Sequence, residues 1–355
     1  MKIALLTDRF MVGGGLEYLY RIAAGLPQHT FVICAHGGPA AARFQSLPNV
    51  VIETGGYSPA IVRCHAPDLL HFNHLRPLCA FSLPPGRMPL PSINTVHGIH
   101  LRRYEFLHGP HHRLISFARQ TLERYCLAKV DINIALTQSD RDYLVTRLNA
   151  KRVVIIPNGI AALDPATLNP VPRAARLHFL VPARFDFQKG HDVLLHAIHM
   201  AQTELRSAGA QFDLLGDGPL RVRMEHLAQQ LQIGDLVRFH GTQANVVDWM
   251  ASTDCVVLPS RWEGLPFVLL EAGRQSRPVI CSDAPGNREV TDHGRCGHLF
   301  RNEDTRALAV LLKTFSRSPE IRSSHAALFH RVAEEYSVQR MLDRLAAAYD
   351  TTFRR

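Results

Sequence analysis

The chain has 355 residues, 46% of them hydrophobic and 20% charged, a length beyond what one core usually serves and a composition that excludes a disordered, collagenous or heptad-repeat protein. Its seven cysteines are odd in number and never spaced Cys-x-x-Cys, which argues against a disulfide framework and a structural zinc site and for a reducing cytoplasm. The net charge of +9 is uneven: residues 1–160 hold 17 Lys+Arg against 9 Asp+Glu, residues 161–355 hold 23 against 22, so the basic excess is amino-terminal and suits an anionic partner or, equally, a solvated arginine-rich surface.

The first nine residues, Met1 to Arg9, contain about five consecutive apolar positions, too few for a signal-peptide core or a membrane span. Short apolar runs then alternate with helical periodicity, the pattern of βα units on a parallel sheet. The first series predicts strands at Lys2 to Thr7, Thr30 to Ala35, Val50 to Ile52, Asp68 to Phe72, Ser92 to Val96, Asp131 to Leu136 and Arg152 to Ile156, with the clearest helices at Leu16 to Leu26 and Leu114 to Ala128. Pro157, Pro165, Pro170 and Pro172 mark a linker. The second series predicts strands at Leu177 to Val181, Gln211 to Leu215, Val237 to His240, Cys255 to Leu258 and Pro278 to Cys281. Helices are expected near His191 to Leu205, Pro219 to Leu231, Asn245 to Ala251 and Pro266 to Gln275, and the tail from Ala307 reads as two or three amphipathic helices. The fold class is therefore α/β, two Rossmann-like doubly wound domains facing a central cleft, with boundaries at 1–160 and 161–335 and a last segment, 336–355, packing back on the first domain. Ligands of such sheets bind at the carboxyl ends of the strands, so chemistry is expected on post-strand loops.

Gly13-Gly14-Gly15 after the first strand, followed by Glu17, lets a backbone approach an anion at a helix start. A turn whose Glu17 complements the helix dipole explains it nearly as well. The spacing fails the Gly-x-Gly-x-x-Gly dinucleotide pattern, and Cys34-Ala35-His36 stands where an acid should end the next strand, which disfavours an oxidoreductase. Arg184 and Lys189, five apart on one post-strand loop before Gly190, offer a planar fork and a point charge for a diphosphate. Gly216-Asp217-Gly218-Pro219 reads mainly as a strand exit with proline opening the next helix. In Pro259 to Glu271, Pro266 is placed to open a helix, the amides of Gly264, Leu265 and Phe267 would face a ligand, and Glu263 and Glu271 suit sugar hydroxyls better than phosphate. Asp140-Arg141-Asp142 could hold a divalent ion, but Thr137 to Asp140 and Ser139 to Asp142 have capping-box spacing, and no metal is expected.

These motifs, with Ile156-Pro157-Asn158-Gly159, Thr95-Val96-His97-Gly98 and Ser282 to Glu289, resemble the retaining glycosyltransferases of the group-one type, family four, with the GT-B fold. The resemblance implies that Glu263 holds donor-sugar hydroxyls, Glu271 the nucleotide ribose, and Arg184 and Lys189 the diphosphate, aided by Gly14, Gly15, Gly216 and the turn Gly264 to Phe267, with His97 beside the reacting sugar. Ala161 stands where relatives often carry an acid. The implied activity is transfer from a nucleotide-sugar, with a UDP-sugar expected and no cofactor, to a saccharide or lipid-linked acceptor in cell-surface polysaccharide or glycolipid synthesis. The alternatives are a non-catalytic nucleotide-sugar binding protein and an epimerase or phosphorylase of the same fold. His100, His111 and His112 read as surface residues that, with Arg102, Arg103 and Arg113, form a basic region open to peripheral contact with an anionic membrane at the cytoplasmic face; no nucleic-acid partner is expected.

Overall fold

A computed structural model describes residues 1–11, 13–172, 177–323 and 325–354. The chain divides into two compact units, Met1–Gly159 with Ser337–Arg355, and Ile160–Tyr336.

In the first unit, β1 (Lys2–Arg9), β2 (Thr30–His36), β3 (Val50–Glu53), β4 (Leu69–Phe72), β5 (Ser92–Val96), β6 (Ile132–Ala135) and β7 (Val153–Ile155) form one sheet in the order β3-β2-β1-β4-β5-β6-β7. Every pairing is parallel. The runs Ile3 to Leu6 and Phe31 to Ala35 are fully buried, as strands covered on both faces by helices must be. The chain winds from β1 outward to β3, then returns to place β4 on the other side of β1. The winding therefore reverses between β1 and β4, the switch point of the sheet. The last helix, Val338–Phe353, belongs to this unit and is anchored in its interior: Tyr349 Oη lies 2.7 Å from His71 Nδ1, and Gly159 N donates to Met341 S at 3.3 Å.

The second unit repeats the plan with β8 (Leu177–Pro182), β9 (Ala210–Leu215), β10 (Val237–Gly241), β11 (Cys255–Leu258), β12 (Val279–Ser282) and β13 (His298–Phe300) in the order β10-β9-β8-β11-β12-β13. Its pairings are also parallel, and its switch point lies between β8 and β11. The core is the sandwich of this sheet with the helices His191–Ser207 and Thr305–Arg317, including the stacked pair Phe179 and Phe212, 4.5 Å between ring centroids.

Several boundaries differ from the sequence reading. The short edge strand β13 is an addition. Among the described residues four helices, not two or three, follow it. Pro219 does not open a helix, which begins at Arg221. Pro266 is the extended residue capping the helix Phe267–Arg274 rather than its first residue, and its carbonyl accepts from Leu269 N at 3.2 Å. The helix expected from Leu114 starts a turn earlier, at Pro110, where a proline needs no amide partner.

Candidate active site

In the first unit the expected residues gather at the switch point. Gly13 caps the helix Gly14–Gly25, so Gly14 and Gly15 open a helix rather than lying in a free loop. Glu17 is held by Arg21 at 2.7 Å and Arg43 at 2.5 Å, and those pairs outweigh the burial that would raise its carboxyl and leave it lowered. Asn73, the residue that leaves β4, was not read from the sequence. Its Nδ2 donates to the Gly15 carbonyl at 3.1 Å, which fixes the amide, and its Oδ1 accepts from His97 Nε2. His97 thus carries its proton on Nε2 and presents Nδ1 as an acceptor. Burial, helped by the neighbouring His74, His71 and His100, holds its pKa well below 6.5, so the ring works as a neutral hydrogen-bonding group near pH 7.

A buried chain stands behind this ring. Tyr18 meets His97 edge to face at 4.9 Å and contacts Thr95 Oγ1 at 3.2 Å; Thr95 contacts His71 Nε2 at 2.8 Å, and His71 reaches Tyr349. A cavity of about 70 Å³ opens beside His97, with Asn73, His74, Leu78, Arg119 and Glu123 in its wall.

In the second unit the loops after β8 and β11 are sewn together. Arg261 N donates to Gln188 O at 2.7 Å and Gln188 Nε2 to Trp262 O at 2.8 Å. Gly190 has φ +64°, and a Cβ there would overlap the Pro259 carbonyl, so only glycine permits this approach. The seam brings Lys189 Nζ to 2.5 Å from Glu263 Oε1, with the Glu263 side chain only 6% exposed. The two residues expected to serve different parts of a ligand therefore form one ion pair at the switch point.

Arg184 does not join them. Its side chain is 61% exposed, with Asp186 Oδ2 at 3.9 Å, and burial raises the Asp186 carboxyl despite the pull of Lys189 and Arg184. Gly216 takes a backbone role: it donates to Gly241 O at 2.7 Å, while the adjoining Asp217 carbonyl accepts from Phe185 N at 3.1 Å. Gly264, Leu265 and Pro266 are buried, Phe267 and Glu271 half-buried, and Glu271 lies on the helix that follows β11.

Arg261 emerges as the support of this loop, a role that its place in the motif did not reveal. Its guanidinium, 5% exposed, grips Asp192 at 2.8 and 3.1 Å, Glu303 at 2.6 Å and the Phe187 carbonyl at 2.7 Å, and stacks over the Phe187 ring at 4.1 Å. At Asp140, Thr137 Oγ1 accepts from the backbone N–H at 3.1 Å; the Ser139 hydroxyl is instead bonded by Arg102, so the second capping spacing is not used. Asp140 is buried while the Asp142 side chain is 57% exposed.

The family model described as glycosyl transferases group 1 matches residues 172–327, and that described as glycosyltransferase family 4 matches residues 12–162. The chain belongs to this family. EpsF of Bacillus subtilis (strain 168), named as a glycosyltransferase, is 35% identical to this family member over 183 residues, 49% of the chain and 46% of the relative. The lipopolysaccharide core biosynthesis glycosyltransferase LpsD of Rhizobium meliloti (strain 1021) is 29% identical over 167 residues, 44% of the chain and 47% of the relative. The chain thus spans about half the length of these curated relatives. Among solved structures, Anabaena Alr3699/HepE in complex with UDP-glucose aligns over 99% of this chain and 100% of its own with a TM-score of 0.82 at 17% identity, which establishes the GT-B type of fold. Among the described residues no helix is long and apolar enough to cross a membrane.

Proposed function

We propose that this chain transfers a sugar from a nucleoside-diphosphate donor to an acceptor hydroxyl, with retention and without a metal ion, in the synthesis of a cell-surface polysaccharide or glycolipid. The carrying observation is the Lys189–Glu263 pair at the β8/β11 switch point, where an open parallel sheet binds its ligand. A carboxylate there accepts hydrogen bonds from sugar hydroxyls, and an ammonium beside it, with Arg184 on the same loop, suits the charge that grows on a departing diphosphate. The HepE complex with UDP-glucose supports a uridine nucleotide, and LpsD supports a saccharide or lipid-linked acceptor.

In the proposed step the acceptor oxygen bonds to the anomeric carbon as the bond from that carbon to the diphosphate oxygen breaks, and the acceptor proton leaves with the diphosphate. Arg184 and Lys189 stabilise the leaving group, Glu263 and Glu271 hold hydroxyls of the sugar and ribose, and neutral His97 accepts or donates a hydrogen bond beside the sugar. No side chain stands out as a covalent nucleophile, so attack and departure on one face of the sugar is the route to retention.

The test is incubation with UDP-sugars and saccharide or lipid-linked acceptors in chelator, following nucleoside diphosphate release and the anomeric configuration of the product. Acceptor-dependent release with retention is expected. Donor binding without release would support a non-catalytic binding protein, and conversion of donor without acceptor an epimerase; either result refutes transfer.

A further inference from the structure

We propose that Cys79 and Cys126 form an oxidant-responsive thiol pair, which a peroxide closes into a disulfide between the two helices that wall the cavity beside His97. The thiol chemistry stands apart from sugar transfer; its consequence for the site rests on the proposed function.

The seven cysteines are free thiols. Cys79 is half-buried on the helix Leu75–Ser82, and Cys126 is fully buried in the last turn of the helix Pro110–Leu127. The two are 47 residues apart in the chain, yet their Sγ atoms lie 3.7 Å from each other. A disulfide of about 2.05 Å asks the sulfurs to close by about 1.7 Å, a step that side-chain torsions and a small approach of the helices can share.

The surroundings give the two thiols different tasks. The Cys126 S–H, donating to the Cys79 sulfur, holds the Cys79 thiol below its ordinary value against burial and Glu123, with help from Arg119. That same bond, burial and the charge on Cys79 push Cys126 up, and the carbonyl end of its helix also disfavours a thiolate there. Cys79 is thus the reachable nucleophile and Cys126 the resolving thiol. Cys34, Cys255, Cys281 and Cys296 are buried, and burial pushes all four thiols up. Cys64 is exposed, with its Sγ donating to the Ala60 carbonyl of its own helix at 3.4 Å.

The Cys79 thiolate attacks one peroxide oxygen, and the O–O bond breaks. Hydroxide leaves and takes up the proton that Cys79 gave to solvent, so a sulfenic acid and one water result. The Cys126 sulfur then displaces the sulfenic hydroxyl, which departs with the Cys126 proton as a second water. Two thiols lose two electrons and the peroxide gains them.

The bond would form in the wall of the site. Cys79 adjoins Leu78 and Cys126 adjoins Leu127, and both neighbours line the cavity of about 70 Å³ with Leu75, Arg119 and Glu123 of the same helices. His74 caps the first of these helices, and Asn73 before it holds His97. Drawing the helices together narrows this small cavity and strains the support of His97.

The experiment treats the whole chain with hydrogen peroxide, then titrates thiols in denaturant and maps peptides without reductant. Titratable thiols should fall by two from seven, with the peptide of Cys79 joined to that of Cys126. In C126A, which lacks the resolving thiol, dimedone should capture a sulfenic acid at Cys79 ahead of any at Cys64. Nucleoside diphosphate release by the oxidised chain should fall about tenfold and return with dithiothreitol, while C79A/C126A keeps its rate under the same peroxide. Seven thiols after peroxide, Cys79 joined to another cysteine, or Cys64 oxidised in C126A with Cys79 intact would overturn the pair. A disulfide that leaves release unchanged would overturn its link to the cavity. A chain that forms the disulfide yet releases nothing when reduced would refute transfer and support the pair.

Discussion

Replacing Lys189 with alanine tests two properties of the site at once, because the lysine is both the proposed diphosphate ligand and the partner of a buried acid. Glu263, with its side chain 6% exposed and Lys189 Nζ at 2.5 Å, would keep its desolvation and lose its cation. A partner lost from a pair this enclosed on one side and 21% exposed on the other costs about 2–3 kcal/mol of stability. For a unit the size of residues 160–336 that lowers the melting temperature by roughly 4–12 °C. Catalysis should suffer separately: one preorganised group on a leaving phosphate contributes about 3 kcal/mol, so turnover should fall about a hundredfold at temperatures where the variant is folded. The assay pairs a thermal melt with nucleoside diphosphate release for K189A and for the double variant K189M/E263Q. The double variant, having no stranded charge, should recover the melting temperature and stay inactive. Turnover like wild type in K189A would refute the leaving-group role, and an unchanged melting temperature would refute the ion pair.

Arg261→Lys should destabilise the second unit by about 3 kcal/mol or more, because an ammonium cannot reach Asp192, Glu303 and the Phe187 carbonyl together; the denaturant midpoint measures this, and a midpoint like wild type would dismiss the hub. Acid should weaken the fold through its buried histidines. Burial depresses His71 and His191 to about 3 and His97 well below 6.5, so the folded chain keeps them neutral while the unfolded chain takes up protons as pH falls through 6.5. Their stabilisation is present above that pH and is lost below it, at up to about 2 kcal/mol per ring by pH 5. The first unit, holding two of the three, should be the more acid-sensitive by thermal melts at pH 7 and pH 5; equal sensitivity of the two units would contradict the assignment. Replacing His71 with Asn removes one of these titrating rings and should narrow the difference between the melts at pH 7 and pH 5; an unchanged difference would contradict its share of the loss.

Central strands were legible because burial on both faces forces continuous apolar runs: Cys255–Leu258 was read to the residue. The strand His298–Phe300 was not, since an edge strand of three residues that starts with histidine has no such run. The start of the helix Pro110–Leu127 was hidden because its first turn, Pro-His-His-Arg, has no apolar period, and its apolar stripe faces outward. The loops that carry the site were visible from their glycines and charges, but Lys189 and Glu263 are 74 residues apart, and only the pairing of β8 with β11 makes them neighbours. Asn73 had one available signal, a polar residue closing an apolar strand at the switch point, and Arg261 had none beyond its place in a dense motif.

The proposed transfer needs a cation at the β8/β11 switch point that holds a nucleotide-sugar without a metal ion, and calorimetric titration of UDP-sugars in excess chelator reads this most directly. Saturable binding of one UDP-sugar by wild type, weakened at least about tenfold in Arg184→Ala and K189M/E263Q, is the predicted result. Binding that appears only when a divalent ion is restored, or that is indifferent to these substitutions, would contradict it.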